Sequence, residues 1–146
     1  MIRQMSLYDV VPVCEMLVDL KNSSPEYSFV VEDWDYVPNQ LKNLLCNPKF
    51  IGVIDDDYRG FMIGAVDQYW YSSRKDAFEQ TLLVNEEARG GMLALRLIKA
   101  FEKRAKELGA EYIHCGSTTG INEERTIQLY ERMGYQRMTA SVRKKL

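Results

Sequence analysis

The 146-residue chain is poor in the residues that build the simplest functional sites. It has one histidine, His114, and three cysteines, Cys14, Cys46 and Cys115, spaced far apart with no C-x-x-C pair. That excludes a zinc cluster of the usual ligand spacing and a disulfide framework. The sparse, odd set predicts reduced thiols in a cytoplasmic protein. No apolar run reaches the roughly 20 residues that a membrane-spanning helix needs, and Met1-Ile2-Arg3-Gln4 lacks the apolar stretch of a signal peptide. Net charge is −2, whereas a general nucleic-acid binder is normally basic. Repeats, low-complexity tracts and Pro/Gly/Ser linkers are missing as well, which predicts one domain over 1–146.

The remaining sequence has a clear order of periods. Residues 2–5 suit a short strand. Asp9 can cap the helix that follows, with Pro12 tolerated in its first turn. Val13, Met16, Leu17 and Leu20 form one apolar face, and the polar Lys21–Pro25 stretch ends the helix. A second helix begins near Trp34 or Asp35, carries Val37, Leu41, Leu44 and Leu45, and stops at Asn47-Pro48. Phe50–Ile54, Phe61–Tyr71 and Ala77–Val84 then read as three strands of an antiparallel meander. A long amphipathic helix over 91–108, stopped by Gly109, leads to a strand at Glu111–Gly116. A last helix spans about 123–133 and ends at Gly134. The tail, Gln136–Leu146, reads as one or two strands of a closing hairpin.

The segment with chemical potential lies between Val84 and the long helix. A glycine-containing strand-to-helix loop presents unpaired backbone N–H groups at the positive end of a helix dipole, a site for phosphate or pyrophosphate. Taken alone, Gly90-Gly91 before a helix is also an ordinary turn. The wider stretch Val84-Asn85-Glu86-Glu87-Ala88-Arg89-Gly90-Gly91-Met92-Leu93-Ala94, after a strand ending Leu82-Leu83-Val84, resembles the acetyl-CoA signature Arg/Gln-x-x-Gly-x-Gly/Ala of the GNAT superfamily. Downstream, Thr126-Ile127-Gln128-Leu129-Tyr130-Glu131-Arg132-Met133-Gly134-Tyr135 is similar to the family's second landmark, a helix carrying Leu-Tyr-Glu followed by Gly and an aromatic residue. The resemblance covers nearly the whole chain. It departs at Met92, where the signature has an inner glycine, at Glu86, where proline is usual, and at Asn122, one residue further from Tyr130 than the family's asparagine.

The resemblance implies an α/β (α+β) GNAT fold. Its sheet would be mixed and mostly antiparallel, of six to seven strands with a splayed parallel central pair, flanked by about four helices. It implies an N-acetyltransferase that uses acetyl-CoA and passes the acetyl group to a primary amine of a small molecule or protein. Nucleic acid and membrane are not expected partners, and a homodimer is compatible with it. The implied cofactor contacts are Leu83, Val84, Arg89, Gly90, Gly91, Met92, Leu93 and Ala94, with Asn122 as a further candidate. Tyr130 matches the family's acid, and a tyrosine, with a pKa of about 10, is protonated at neutral pH. Glu79 is the candidate base, acting directly or through a water, with a solvated strand residue as the plain alternative; Asp76 is a second candidate. His114 reads as a hydrogen-bonded structural residue and Cys115 as core. Glu26, Glu32, Asp33 and Asp35 could attract a cationic acceptor or be solvated acids. Trp34, Tyr36, Trp70 and Tyr71 could line an acceptor pocket or belong to the core. Thr118, Thr119 and Gly120 form a loop near the cofactor's exit. The departure at Met92 keeps a second function open: a GNAT-fold binding or regulatory protein that holds coenzyme A or a partner without turnover.

Overall fold

A computed structural model describes residues 1–24, 34–117, 121–138 and 141–146. Strand β1 (Ile2–Gln4) leads through a 3-10 turn into helix α1 (Val10–Ser23), and α2 (Tyr36–Leu45) follows. Strands β2 (Phe50–Asp55), β3 (Gly60–Asp67) and β4 (Asp76–Val84) form the meander. Helix α3 (Leu93–Glu107), strand β5 (Tyr112–His114) and helix α4 (Glu123–Arg132) complete the order. The sheet runs β1-β2-β3-β4-β5, with every pair antiparallel except β4 and β5, which are parallel.

Alternation along the strands divides the core between the two faces. Ile51, Val53, Met62, Val66 and Ala77 turn toward α3, whose Leu93, Leu97, Ile98, Phe101 and Ala105 are buried against them. Phe50, Ile54, Phe61 and Leu83 turn the other way, toward Val13, Met16 and Leu20 of α1 and Leu41 of α2. Each of the larger of these side chains contributes roughly 1.5–3 kcal/mol on burial, so the apolar stripe of α3 fixes that helix to the sheet. Helices α3 and α4 end before Gly109 and Gly134, both at positive φ.

One irregularity in the sheet decides which way a polar strand residue faces. In the β3–β4 ladder Ile63 pairs with Thr81 while Gly64 pairs with Glu79, so Gln80 is an extra residue. Such a bulge reverses the parity of the strand. Ala77 and Glu79 therefore share a face with Leu82 and Val84, the face covered by α3 and α4. Gly64 permits it, because a Cβ there would run into the Phe78 carbonyl and the Phe101 ring.

The structure corrects three expectations. The sheet has five strands among the described residues, not six to seven, since no strand forms in 135–138 or 141–146. The tail has little apolar side chain to bury, and Arg137 is drawn back instead to Glu124 and Glu131 on α4. The run Phe61–Tyr71 stops being a strand at Asp67, whose carboxylate accepts the Gln68 N–H and starts a turn. Asp9 is the residue before α1, but its carboxylate does not cap that helix. It accepts two bonds from Arg3 at 2.8 Å, the Ser6 N–H at 2.7 Å and the Tyr58 hydroxyl at 3.2 Å.

Asp9 is fully buried. The Arg3 hydrogen bonds lower its pKa to about 2. A depressed carboxylate adds stability above its unfolded pKa, near 3.9, and that stability is lost as pH falls toward the folded value. Asp9→Asn should cost about 2–3 kcal/mol in urea unfolding at pH 7, with the difference from wild type shrinking between about pH 4 and 2. A pH-independent difference would show that the carboxylate charge is not what ties β1 to α1.

Candidate functional site

The loop after β4 is pinned from behind. The Asn85 side chain donates to the Tyr58 carbonyl at 3.1 Å, and its N–H donates to the Arg59 carbonyl at 2.8 Å. A 3-10 turn, Glu86–Ala88, follows, and Arg89 leaves it extended. The Arg89 Nε folds back onto the Val84 carbonyl at 3.0 Å, closing the loop on the end of its own strand. Gly90 then takes φ +85°, a conformation open to glycine at little steric cost.

Two features of this turn suit an anion. Among the described residues, the N–H groups from Gly90 to Leu95 have no acceptor; the first engaged one is that of Arg96, donated to the Met92 carbonyl. They gather at the start of a 15-residue helix, where the dipole favours negative charge. In addition, a Cβ on Gly91 would meet nothing nearer than the Ala88 carbonyl at 3.8 Å. A side chain at 91 would meet open space, and Gly91 lines the cavity described next.

That space belongs to a cavity of about 340 Å³, within the usual range of small-molecule sites. The β4–β5 ladder covers only Asp76–Phe78 and Tyr112–His114. Where it stops the strands part, with Leu82, Leu83 and Val84 on one wall and Gly116 on the other. The helix α4 forms the third wall through Arg125, Thr126, Leu129 and Arg132, with Asn122 just before it.

Behind Gly116 lies a polar cluster built on the buried Tyr130, with Glu79, Cys115 and Tyr135 half-buried around it. Tyr130, on α4, donates its hydroxyl proton to Glu79 Oε2 at 2.9 Å, and the Gly116 N–H donates to the same oxygen at 2.9 Å. The bulge at Gln80 puts Glu79 on the α4 face, where this bond can form. Burial, reinforced by the Glu79 charge, pushes the ionisation of Tyr130 far above the ordinary range of tyrosine. Burial raises the Cys115 thiol as well, so it rests as a thiol against Tyr130 and Tyr135. The Tyr135 hydroxyl donates to Glu102 at 2.8 Å, and the Tyr130 and Tyr135 rings lie 5.0 Å apart.

The structure gathers most of the expected cofactor residues. Leu83, Val84, Arg89, Gly90, Gly91, Met92, Ala94 and Asn122 all line the cavity. Leu93 does not; its side chain is buried in the core beneath the loop. Asp76 stands apart, gripped by Arg74 at 2.7 and 2.8 Å and by His114 Nε2 at 2.8 Å, with Arg74 the main cause of its lowered pKa. His114 also stacks on Phe78 at 4.8 Å, which fits the structural reading of that residue. Trp34, Tyr36, Trp70 and Tyr71 are exposed, outside the core and the cavity. Glu26, Glu32, Asp33, Thr118, Thr119 and Gly120 lie outside the described residues. Sequence reasoning missed Arg125 and Arg132. Their signal was the spacing 122, 125, 126, 129, 132, a single face of a helix.

Residues 14–135 match the model of the acetyltransferase (GNAT) family. Among solved structures, an aminoglycoside acetyltransferase from an uncultured soil metagenomic sample is 20% identical, with a TM-score of 0.76 over 100% of this chain and 97% of that one. A ribosomal-protein-alanine N-acetyltransferase from Brucella melitensis biovar Abortus 2308 is 15% identical, with a TM-score of 0.73 over 100% and 98%. A Trypanosoma brucei acetyltransferase is 14% identical, with a TM-score of 0.74 over 100% and 99%. No curated protein sequence matches. At these identities the solved structures establish a shared fold.

The two glycines should separate in a stability measurement. Gly90→Ala should lower stability by about 1 kcal/mol, because alanine is strained at φ +85°. Gly91→Ala should leave thermal unfolding unchanged. Equal losses would mean that Gly91 is also held by the protein's own packing.

Proposed function

Because the chain belongs to the GNAT acetyltransferase family, we propose that it is an N-acetyltransferase transferring acetyl from acetyl-CoA to a primary amine of a small molecule or protein. The observation that carries this reading is the row of unengaged N–H groups from Gly90 to Leu95, at the edge of a cavity that Gly90, Gly91, Met92, Ala94 and Leu95 line. In this reading, the amides from Gly90 to Ala94 hold the pyrophosphate, the backbone of Leu83 and Val84 borders the pantetheine arm, and Asn122 adds a contact at the far wall. When bound, the coenzyme supplies an activated acetyl thioester. A direct transfer needs no protein nucleophile, and positioning alone can supply roughly 7–11 kcal/mol.

The protein's task is then to manage two protons. Tyr130 holds its proton through the neutral range because burial and Glu79 disfavour the phenolate. Glu79 Oε2 accepts the proton that the acceptor amine sheds, directly or through a water, and Tyr130 Oη yields its own toward the departing sulfur. The 2.9 Å bond between them returns the first proton to replace the second, so the pair ends as it began. Acid and base thus form one unit, and the effects of removing them should not add.

Several features support the rest of the proposal. No helix of the described residues is long and apolar enough to cross a membrane. The free thiols Cys14, Cys46 and Cys115 suit a cytoplasmic setting, and the net charge of −2 does not suit nucleic acid. A homodimer is consistent with the reading. The binding-only alternative draws on Met92, yet Met92 has φ −88°, where methionine carries no strain, and is 57% exposed. Its N–H keeps its place in the row.

Thiol release from acetyl-CoA against a panel of aminoglycosides, polyamines and alanine-terminated peptides tests the reading. Turnover with at least one amine is expected. Coenzyme binding without turnover on any amine would favour the binding protein, and no coenzyme binding would mean that the loop is misassigned. Tyr130→Phe should lower kcat by about 10²–10⁴-fold with acetyl-CoA affinity within about twofold. A variant as fast as wild type would remove Tyr130 from the mechanism. Since the ionisation of Tyr130 is displaced upward, kcat should show no alkaline limb below about pH 10. A fall centred near pH 9 would assign the essential acid to another group.

A further inference from the structure

The loop amides offer dipoles but no charge, and a pyrophosphate carries negative charge that dipoles alone only partly balance. The arginine of the loop itself, Arg89, spends its Nε on the Val84 carbonyl and approaches the cavity from the loop side. Across the cavity stands Arg125, in the first turn of α4. Its Nη2 lies 3.5 Å from the position that a Cβ on Gly90 would occupy. Among the described residues no carboxylate lies within ion-pairing distance of Arg125, whereas Arg137 has taken both Glu124 and Glu131.

We propose that Arg125 is the opposing jaw of the anion site, closing on the diphosphate from α4 while the amides of Gly90 to Ala94 hold it from α3. The inference rests on the proposed coenzyme reading and adds to it a charged, side-chain half of the grip. A planar guanidinium can meet two phosphate oxygens at once. Gly90 and Gly91 are the two positions of the row without a side chain. The guanidinium beside Gly90 faces this part of the loop. Arg125 is exposed on α4, yet its guanidinium lies over the loop at Gly90.

Calorimetric titration of coenzyme A and of dephospho-coenzyme A into wild type, Arg125→Gln and Arg125→Lys tests this without any turnover. Arg125→Gln should weaken both ligands equally, on the order of 10–100-fold. Arg125→Lys should recover part of the loss, and the melting temperature of the free variants should match wild type. Loss confined to coenzyme A would place Arg125 on the 3′-phosphate and overturn the proposal. Unchanged affinity in Arg125→Gln would overturn it too, while leaving the coenzyme reading intact. If wild type bound neither ligand, the parent reading would fall, and this inference with it.

Discussion

The parallel ladder between β4 and β5 ends after Phe78 and His114, and the site depends on that early end. Had the two strands stayed paired to Val84, their backbones would have filled the space now open between Leu83 and Gly116. The bulge at Gln80 lies just beyond the last paired residues. It keeps Glu79 on the helical face, where the Tyr130 hydroxyl and the Gly116 N–H converge on one carboxylate oxygen. The same short stretch therefore ends the pairing, opens the cavity and ties a carboxylate to Gly116 on its wall.

The cavity and the cluster behind Gly116 use different physics. In the cavity, the amides at the start of α3 and a guanidinium with no ion pair among the described residues suit an anion. In the cluster, burial dominates. The pair of Tyr130 and Glu79 shares one proton in an environment that opposes a second negative charge, so the tyrosine stays neutral and the carboxylate keeps a donor on each side. Gly116 joins the two, lining the cavity and donating its N–H to Glu79.

Much of this was legible in the sequence wherever the signal was local. The helical spacing of Leu93, Leu97, Ile98, Phe101 and Ala105 marked α3 and its buried face. The strand end at Leu82-Leu83-Val84 with Gly90-Gly91 beyond it located the loop. The less legible parts were those decided by contacts distant in sequence. A glutamate within β4 could be solvated or buried, and only the parity change at Gln80 settles it, because without the extra residue the alternation of the strand is misread. Arg125 was missed because a lone arginine on a helix looks like solvated surface until a glycine 35 positions earlier in the chain lies beside it. The tail was expected to pair because its pattern allows a strand, but Arg137 binds to two glutamates of α4.

The central claim is that main-chain amides at the start of α3 grip a pyrophosphate. Residue-resolved amide hydrogen exchange with and without coenzyme A tests it most directly. New protection should concentrate at the amides of Gly90 to Ala94 and exceed that at any other loop in the protein. Protection elsewhere, with those amides exchanging as fast in the bound protein as in the free one, would contradict it.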